Sequence, residues 1–515
     1  MNWSLVCMLI SICLYLALMV LVGVVMTKRN RNAGDFYLGG RQLGPIVTAM
    51  SAEASDMSSW LMMGLPGVAY FTGLADVTWT AIGLAIGTYL NWLLVARRLR
   101  RYSELTNSIT VPDFFKNRFH DSGRSLVGIA AVIIIVFFVP YTASGFAACG
   151  KLFSSLLGVN YVPAMLLSAV IIVAYTTLGG FLAASTTDLI QSVVMTIAIL
   201  SVVIFGVSVA GGVDRVVENA RGVAGYLTLN RAANIATGES SPYTFLTVIS
   251  TMAWGLGYFG MPHILLRFMA IRDERKIKLS RRIATVWVVI SMAAAVLIGV
   301  IGYAVSAAGS IELFGSAAAA EKVVIAISDL MSTYSVPLAL LAGLILAGIL
   351  ACTMSTADSQ LLAAASSVSE NLMDSVMGIK LSPKFKIIVA RATVVAVSAV
   401  GVLLALDSTS SVFRIVSFAW AGFGAAFGPV MLMSLFWRRM NKAGALAGMI
   451  VGGSMVFIWK YVVAPFGSSA GIKALTVYEL LPAFLLSLAA ILIASLVTRA
   501  PAREVVAEFD RAAGD

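Results

Sequence analysis

Apolar stretches recur along almost the whole chain, each long enough to cross a bilayer and joined to the next by a short connection. A hydrocarbon core about 30 Å thick takes about 20 helical residues, and within it every backbone polar group must be paired. Such stretches lie at 3–27, 45–74, 77–96, 125–155, 161–178, 182–211, 243–268, 283–308, 336–372, 387–406, 411–437, 443–463 and 478–498. They restrict the chain to one fold class, an all-α integral membrane protein with about 13 transmembrane helices. Composition agrees, since 59% of the 515 residues are hydrophobic and 12% charged. No Pro/Ser-rich linker or compositional shift divides the sequence, which reads as one membrane domain over 1–515. The first stretch is too long for a signal-peptide core and lacks a small-residue cleavage site, so it reads as a retained helix.

The formal charge of +11 does not point to nucleic acid. Lys and Arg fall in alternate connections: "KRNRN", "RRLRRY", "IRDERKIKLSRR", "KLSPKFK", "WRRMNK" and the tail over 499–515. That alternation predicts a multi-pass protein of the cell membrane with the N-terminus outside and the C-terminus cytoplasmic, and it puts 212–242 and 309–335 outside. An enzyme is not expected. His120 and His263 are the only histidines, and no nucleophile, base and orienting group stand together. The residues after 498 are too few for a signalling domain, and nothing resembles a carbonyl-lined channel filter. Cys7, Cys13, Cys149 and Cys352 lie in apolar stretches without metal-ligand spacing.

Two stretches depart from a plain apolar helix: the second, with "SAEASDMSSWLMMGLPG", and the seventh, with "WGLGYFGMPH". Each opens one of two sets of five, 45–211 and 243–437. Paired interruptions at corresponding positions predict two inverted repeats with a binding site near the membrane midplane. The stretch 3–27 is then an extra N-terminal helix, and 443–498 supplies two C-terminal ones. Gly and Pro kinks without function are the plainer alternative.

A carboxylate at the bilayer centre costs about 2.5–3.5 kcal/mol on insertion scales, so Glu53, Asp56, Asp188 and Asp358 call for an explanation. In "ILACTMSTADSQLLAAASSVSENL", Ser355 and Ser359 share a helix face. Cys352, Ser355 and Thr356 fall at i, i+3 and i+4, so one carbonyl and two hydroxyls converge. Oxygens with little fixed charge suit a sodium ion that must later be released, although hydroxyls also bond back to their own helix. The partner half of such a site is expected from "EASDMSS", through unwinding of the second stretch.

At these residues the sequence resembles a known family. "SAEASDMSSWLMMGLPG", "YTTLGGFLAASTTDLIQS", "WGLGYFGMPHILLRFMA" and "LACTMSTADSQLL" are similar to signature segments of the sodium/solute symporters, especially the bacterial sodium/proline symporters. The resemblance implies a leucine-transporter-like core of two inverted five-helix repeats that imports L-proline with sodium by alternating access. It puts sodium on the carbonyls of Ala54, Met57 and Cys352 and the hydroxyls of Ser355 and Thr356. It implies a substrate site with Asp56, Ser58, Ser59, Tyr141, Trp254, Tyr258 and Met261. Asp188, with Ser355, Asp358 and Ser359, is a candidate second sodium or coupling site; alternatively the carboxylates share a proton or pair with Arg or Lys. Glu53, Ser59 and Met261 depart from the family pattern, and Cys352 stands where the proline symporters carry Ala. These departures leave the solute open to betaine, another amino acid, pantothenate or a monocarboxylate. Glu53 itself reads as a partner for a basic residue or as an ion-coupling group.

Overall fold

The computed structural model describes residues 3–27, 33–178, 180–380 and 382–514; the basic stretch at 28–32 lies outside them. The membrane helices, labelled in chain order, are α1 Trp3–Thr27, α2 Pro45–Ser59, α3 Leu65–Thr72, α4 Leu74–Leu90, α5 Ser125–Leu157, α6 Tyr161–Leu178, α7 Phe181–Val209, α8 Phe245–Met252, α9 Pro262–Ala270, α10 Ile277–Ala307, α11 Val336–Ser366, α12 Pro383–Leu404, α13 Val412–Phe436, α14 Lys442–Ile458 and α15 Leu480–Val497.

Among the described residues, ten helices are long and apolar enough to cross a membrane. The predicted second and seventh stretches fall outside that ten because each is interrupted. The second is α2, a wide turn at Trp60–Gly64, and α3; the seventh is α8, a tight helical stretch at Ala253–Gly260, and α9. The fifth stretch forms the apolar helix α6.

Helix starts follow the local sequence. Ser335 and Ser411 each cap an N-terminus by accepting the N–H three residues on, and Pro337 in α11 and Pro262 in α9 occupy first-turn positions whose N–H would be unsatisfied anyway. α11 is the central element, buried continuously from Ile345 to Ser366. The outer helices α1, α12 and α15 instead expose Leu14, Leu403 and Val497, the apolar surface that lipid covers. α4 meets the break after α8 backbone to backbone: a Cβ on Gly87 would lie 2.3 Å from the Gly255 carbonyl oxygen. Glycine at 87 is therefore a packing requirement.

The connections add one feature to the all-α expectation. Arg231–Asn234 pairs antiparallel with Glu239–Pro242 as a two-stranded hairpin within the polar stretch 212–242. The tail is also ordered rather than loose. Its helix Arg503–Ala513 docks through Asp510 on Arg438, Glu508 on His120 and Phe509 beneath the Arg118 guanidinium.

Candidate functional site

The break in α2 is confined to one residue. Ser58 has φ 48° and ψ −174°, in the left-handed region, while Glu53 to Met57 remain helical. A serine in this combination of φ and ψ, which is close to glycine-only, is strained by about 1–3 kcal/mol. Its hydroxyl accepts the Trp60 N–H at 3.1 Å, partly compensating the interrupted ladder. The expected unwinding of "EASDMSS" is therefore narrower than the sequence suggested. In the seventh stretch the chain becomes extended at Met261, just before Pro262 restarts the helix.

Four of the five residues expected at a sodium site converge. Ser355 Oγ donates to the Ala54 carbonyl at 2.8 Å and lies 3.1 Å from the Cys352 carbonyl, to which Thr356 Oγ1 donates at 3.0 Å. All four residues are buried. The Met57 carbonyl accepts the Trp60 N–H and keeps a second lone pair. The result is a set of neutral oxygens spanning two helices, chemistry that suits a small monovalent cation and permits its release.

Beside it, Asp56, Met57, Trp60, Leu84, Tyr141, Trp254, Met292, Val416 and Trp420 line a small cavity with about 10 Å³ of free space, room for about one water molecule. The Asp56 carboxylate accepts a short hydrogen bond from Tyr258 Oη, and Tyr141 Oη donates to the Asp56 carbonyl at 3.2 Å. Trp420 Nε1 donates to the Trp254 carbonyl at 2.7 Å, and the Trp254 ring stacks on Tyr478 at 5.4 Å.

Of the residues expected around the substrate, Asp56, Tyr141 and Trp254 line the cavity. Tyr258 acts on it through Asp56, and Ser58, Ser59 and Met261 are buried outside the lining. Sequence reasoning missed Trp60, Leu84, Met292, Val416 and Trp420.

The cluster around Asp188 also forms, but with a cation of the protein's own. Arg267 pairs with Asp188 Oδ2 at 3.1 Å and donates to Ser359 Oγ at 2.6 Å, while Ser359 lies 3.4 Å from Asp358 Oδ1. Ser355 is bonded instead to Ala54 and Cys352. Arg267 is thus the partner the structure shows for Asp188.

Glu53 has no basic partner among the described residues, which corrects one expectation. Its Oε1 accepts from Thr88 Oγ1 at 3.0 Å and Trp92 Nε1 at 2.8 Å; its Oε2 is buried without a hydrogen bond. It thus ties α2 to the end of α4 and to the wide turn Asn91–Val95 that follows it.

Two interrupted helices facing each other across a small closed cavity, inside a bundle of apolar helices, define a membrane transporter. The comparisons specify which kind. The model of the sodium:solute symporter family matches residues 36–452, and the chain belongs to that family. It is 41% identical to the osmoregulated proline transporter OpuE of Bacillus subtilis over 96% of both chains. It is 40% identical to the sodium/proline symporter of Escherichia coli, covering 98% of this chain and 96% of that one. A solved Na+-coupled sialic acid symporter shares the fold, with a TM-score of 0.76 at 17% identity over 96% of this chain and 99% of that one.

Proposed function

We propose that the chain imports L-proline together with sodium by alternating access. The observation that carries this reading is the Ser355 hydroxyl bridging the broken α2 to α11 through the Ala54 carbonyl, at the edge of the Asp56 cavity. A sodium ion held by the Ala54, Met57 and Cys352 carbonyls and the Ser355 and Thr356 hydroxyls would join the two helices where the hydrogen bond now does. That fixes the α2 half of the cavity and raises its affinity for solute. Linkage requires the solute to tighten sodium binding by the same factor. The tryptophans and Tyr141 would enclose an apolar five-membered ring, while Asp56 and the helix ends at the two breaks meet the charged amine and carboxylate.

The architecture in this reading has thirteen spans: an extra helix at 3–27, inverted repeats at 45–211 and 243–437, two helices at 443–498 and a cytoplasmic tail at 499–515. Fold similarity to a sodium-coupled symporter and the matched interruptions support the repeats. The alternating basic connections support a cell-membrane protein with its N-terminus outside. The proline names of the relatives favour proline over betaine, pantothenate or a monocarboxylate. Ser59 and Met261, the departures that widened the choice, lie outside the lining.

The test is uptake into proteoliposomes under an imposed sodium gradient, with labelled proline competed by each alternative solute. Accumulation of proline that needs sodium and is lost in Ser355→Ala is expected. Uptake indifferent to sodium would overturn the reading.

A further inference from the structure

Arg267 touches neither the expected sodium oxygens nor the cavity lining, yet its side chain is 1% exposed and every branch is engaged. Nε donates to Ser51 Oγ at 3.0 Å, and one terminal nitrogen donates to the His263 carbonyl at 2.9 Å. The other terminal nitrogen reaches both Asp188 Oδ2 and Ser359 Oγ. From α9, therefore, a single guanidinium joins α2, α7 and α11. Ser51 Oγ also donates to Asp188 Oδ2 at 2.6 Å, so two carboxylates and two hydroxyls surround the cation. Two further oxygens, Asp188 Oδ1 and Asp358 Oδ2, are buried with no hydrogen-bond partner.

Without the guanidinium this is a set of hard oxygen ligands in a dry interior, with up to two negative charges and no other basic side chain paired to it among the described residues. Buried charge of that kind is retained only when it is paired or bound to an ion. We propose that the cation position enclosed by Ser51, Asp188, Asp358 and Ser359 is held in this chain by Arg267 itself, and that a neutral residue at 267 opens the position to a free sodium ion. The wild-type chain then carries one sodium per cycle, at the α2–α11 oxygens. Replacing the guanidinium by sodium conserves the local charge, whereas replacing it by nothing does not. The inference rests on the α2–α11 oxygens being the first sodium site.

Equilibrium binding of radioactive sodium to the purified full-length protein tests it, using Arg267→Gln alone and combined with Ser355→Ala. Wild type is expected to bind one sodium, R267Q two, and R267Q with S355A one. R267K keeps the charge and is expected to bind one. Unchanged stoichiometry in R267Q overturns the inference. If S355A alone keeps its sodium, the first-site reading fails instead, so the two failures are distinguishable. Should R267Q be too unstable to titrate, its thermal midpoint is measured in sodium against choline at equal ionic strength. A slope against log sodium concentration about twice that of wild type supports the proposal, and a slope equal to wild type, or no rescue by sodium, overturns it.

Discussion

The pair Lys151–Glu321 gives a prediction whose magnitude follows from its surroundings. Lys151 Nζ, on α5, lies 2.6 Å from Glu321 Oε2, and the two side chains are 3% and 1% exposed. At an effective dielectric near 20 the attraction across that distance is about 6 kcal/mol, but desolvation of both ions offsets most of it. The informative quantity is the difference between the single losses. Glu321 also accepts from Ser411 Oγ at 2.8 Å and from the Val412 and Phe413 N–H groups at 3.2 Å each. It therefore caps the positive end of α13. Lys151→Met leaves that carboxylate with three donors and a helix terminus, so the cost should be about 1.5–3 kcal/mol. Glu321→Gln leaves a buried ammonium without its counter-charge, held only by neutral oxygens such as the Ser410 carbonyl at 2.8 Å; removing one charge of a buried pair in this way costs about 3–5 kcal/mol. For a chain this long each kcal/mol corresponds to roughly 1 °C, so thermal unfolding in detergent should drop by about 3–5 °C for E321Q and by visibly less for K151M. The double variant should fall short of the sum, with a coupling above about 1 kcal/mol. A K151M loss equal to or larger than that of E321Q would refute the assignment of Glu321 as a cap that stands without its lysine.

Glu53→Gln should leave the sodium dependence of uptake unchanged, because the amide oxygen still accepts from Thr88 and Trp92; Trp92→Phe, which removes a donor to Glu53, should lower stability by about 1.5–3 kcal/mol in the same unfolding assay. Trp420→Phe strips the donor from the buried Trp254 carbonyl, at a cost of about 1–3 kcal/mol, and should raise the half-saturating solute concentration about tenfold in uptake kinetics. Gly257→Ala would put a methyl 1.9 Å from Trp420 Nε1 and should abolish solute binding by calorimetry. Outside the membrane helices, burial alone would raise the Asp121 carboxyl, but hydrogen bonds from Lys442, the Leu126 N–H and Ser125 hold it below its ordinary value. Its folded pKa is depressed, so its stabilisation is complete above about pH 4 and is lost as pH falls through the folded value. Asp121→Asn should flatten the loss of thermal stability on acidification below about pH 4.

Local spacing made the proposed sodium oxygens legible. Cys352, Ser355 and Thr356 lie within one helical turn, and their convergence needs only the helix period. The two breaks were legible because Gly, Pro and polar residues interrupt otherwise apolar runs. How far α2 unwinds was not, since it depends on distant anchors: Thr88 and Trp92 hold Glu53, and Tyr258 holds Asp56, which leaves Ser58 alone to leave the helix. Arg267 reads in "HILLRF" as a helix-end cation, because its partners Asp188 and Ser359 are 79 and 92 residues away. Leu84, Met292 and Val416 are apolar residues in apolar helices. In a membrane protein, lipid-facing and cavity-facing sides carry the same composition, so periodicity cannot tell them apart.

The two buried ion pairs lean on opposite halves of one broken helix. Ser51, in the α2 half, is bonded to Arg267. In the α3 half, a Cβ on Gly67 would lie 2.8 Å from the Glu321 backbone nitrogen. The break at Ser58 and the cavity residues Asp56 to Trp60 lie between them along the chain, so each half of the broken helix leans on a different buried ion pair, and the two pairs share no residue.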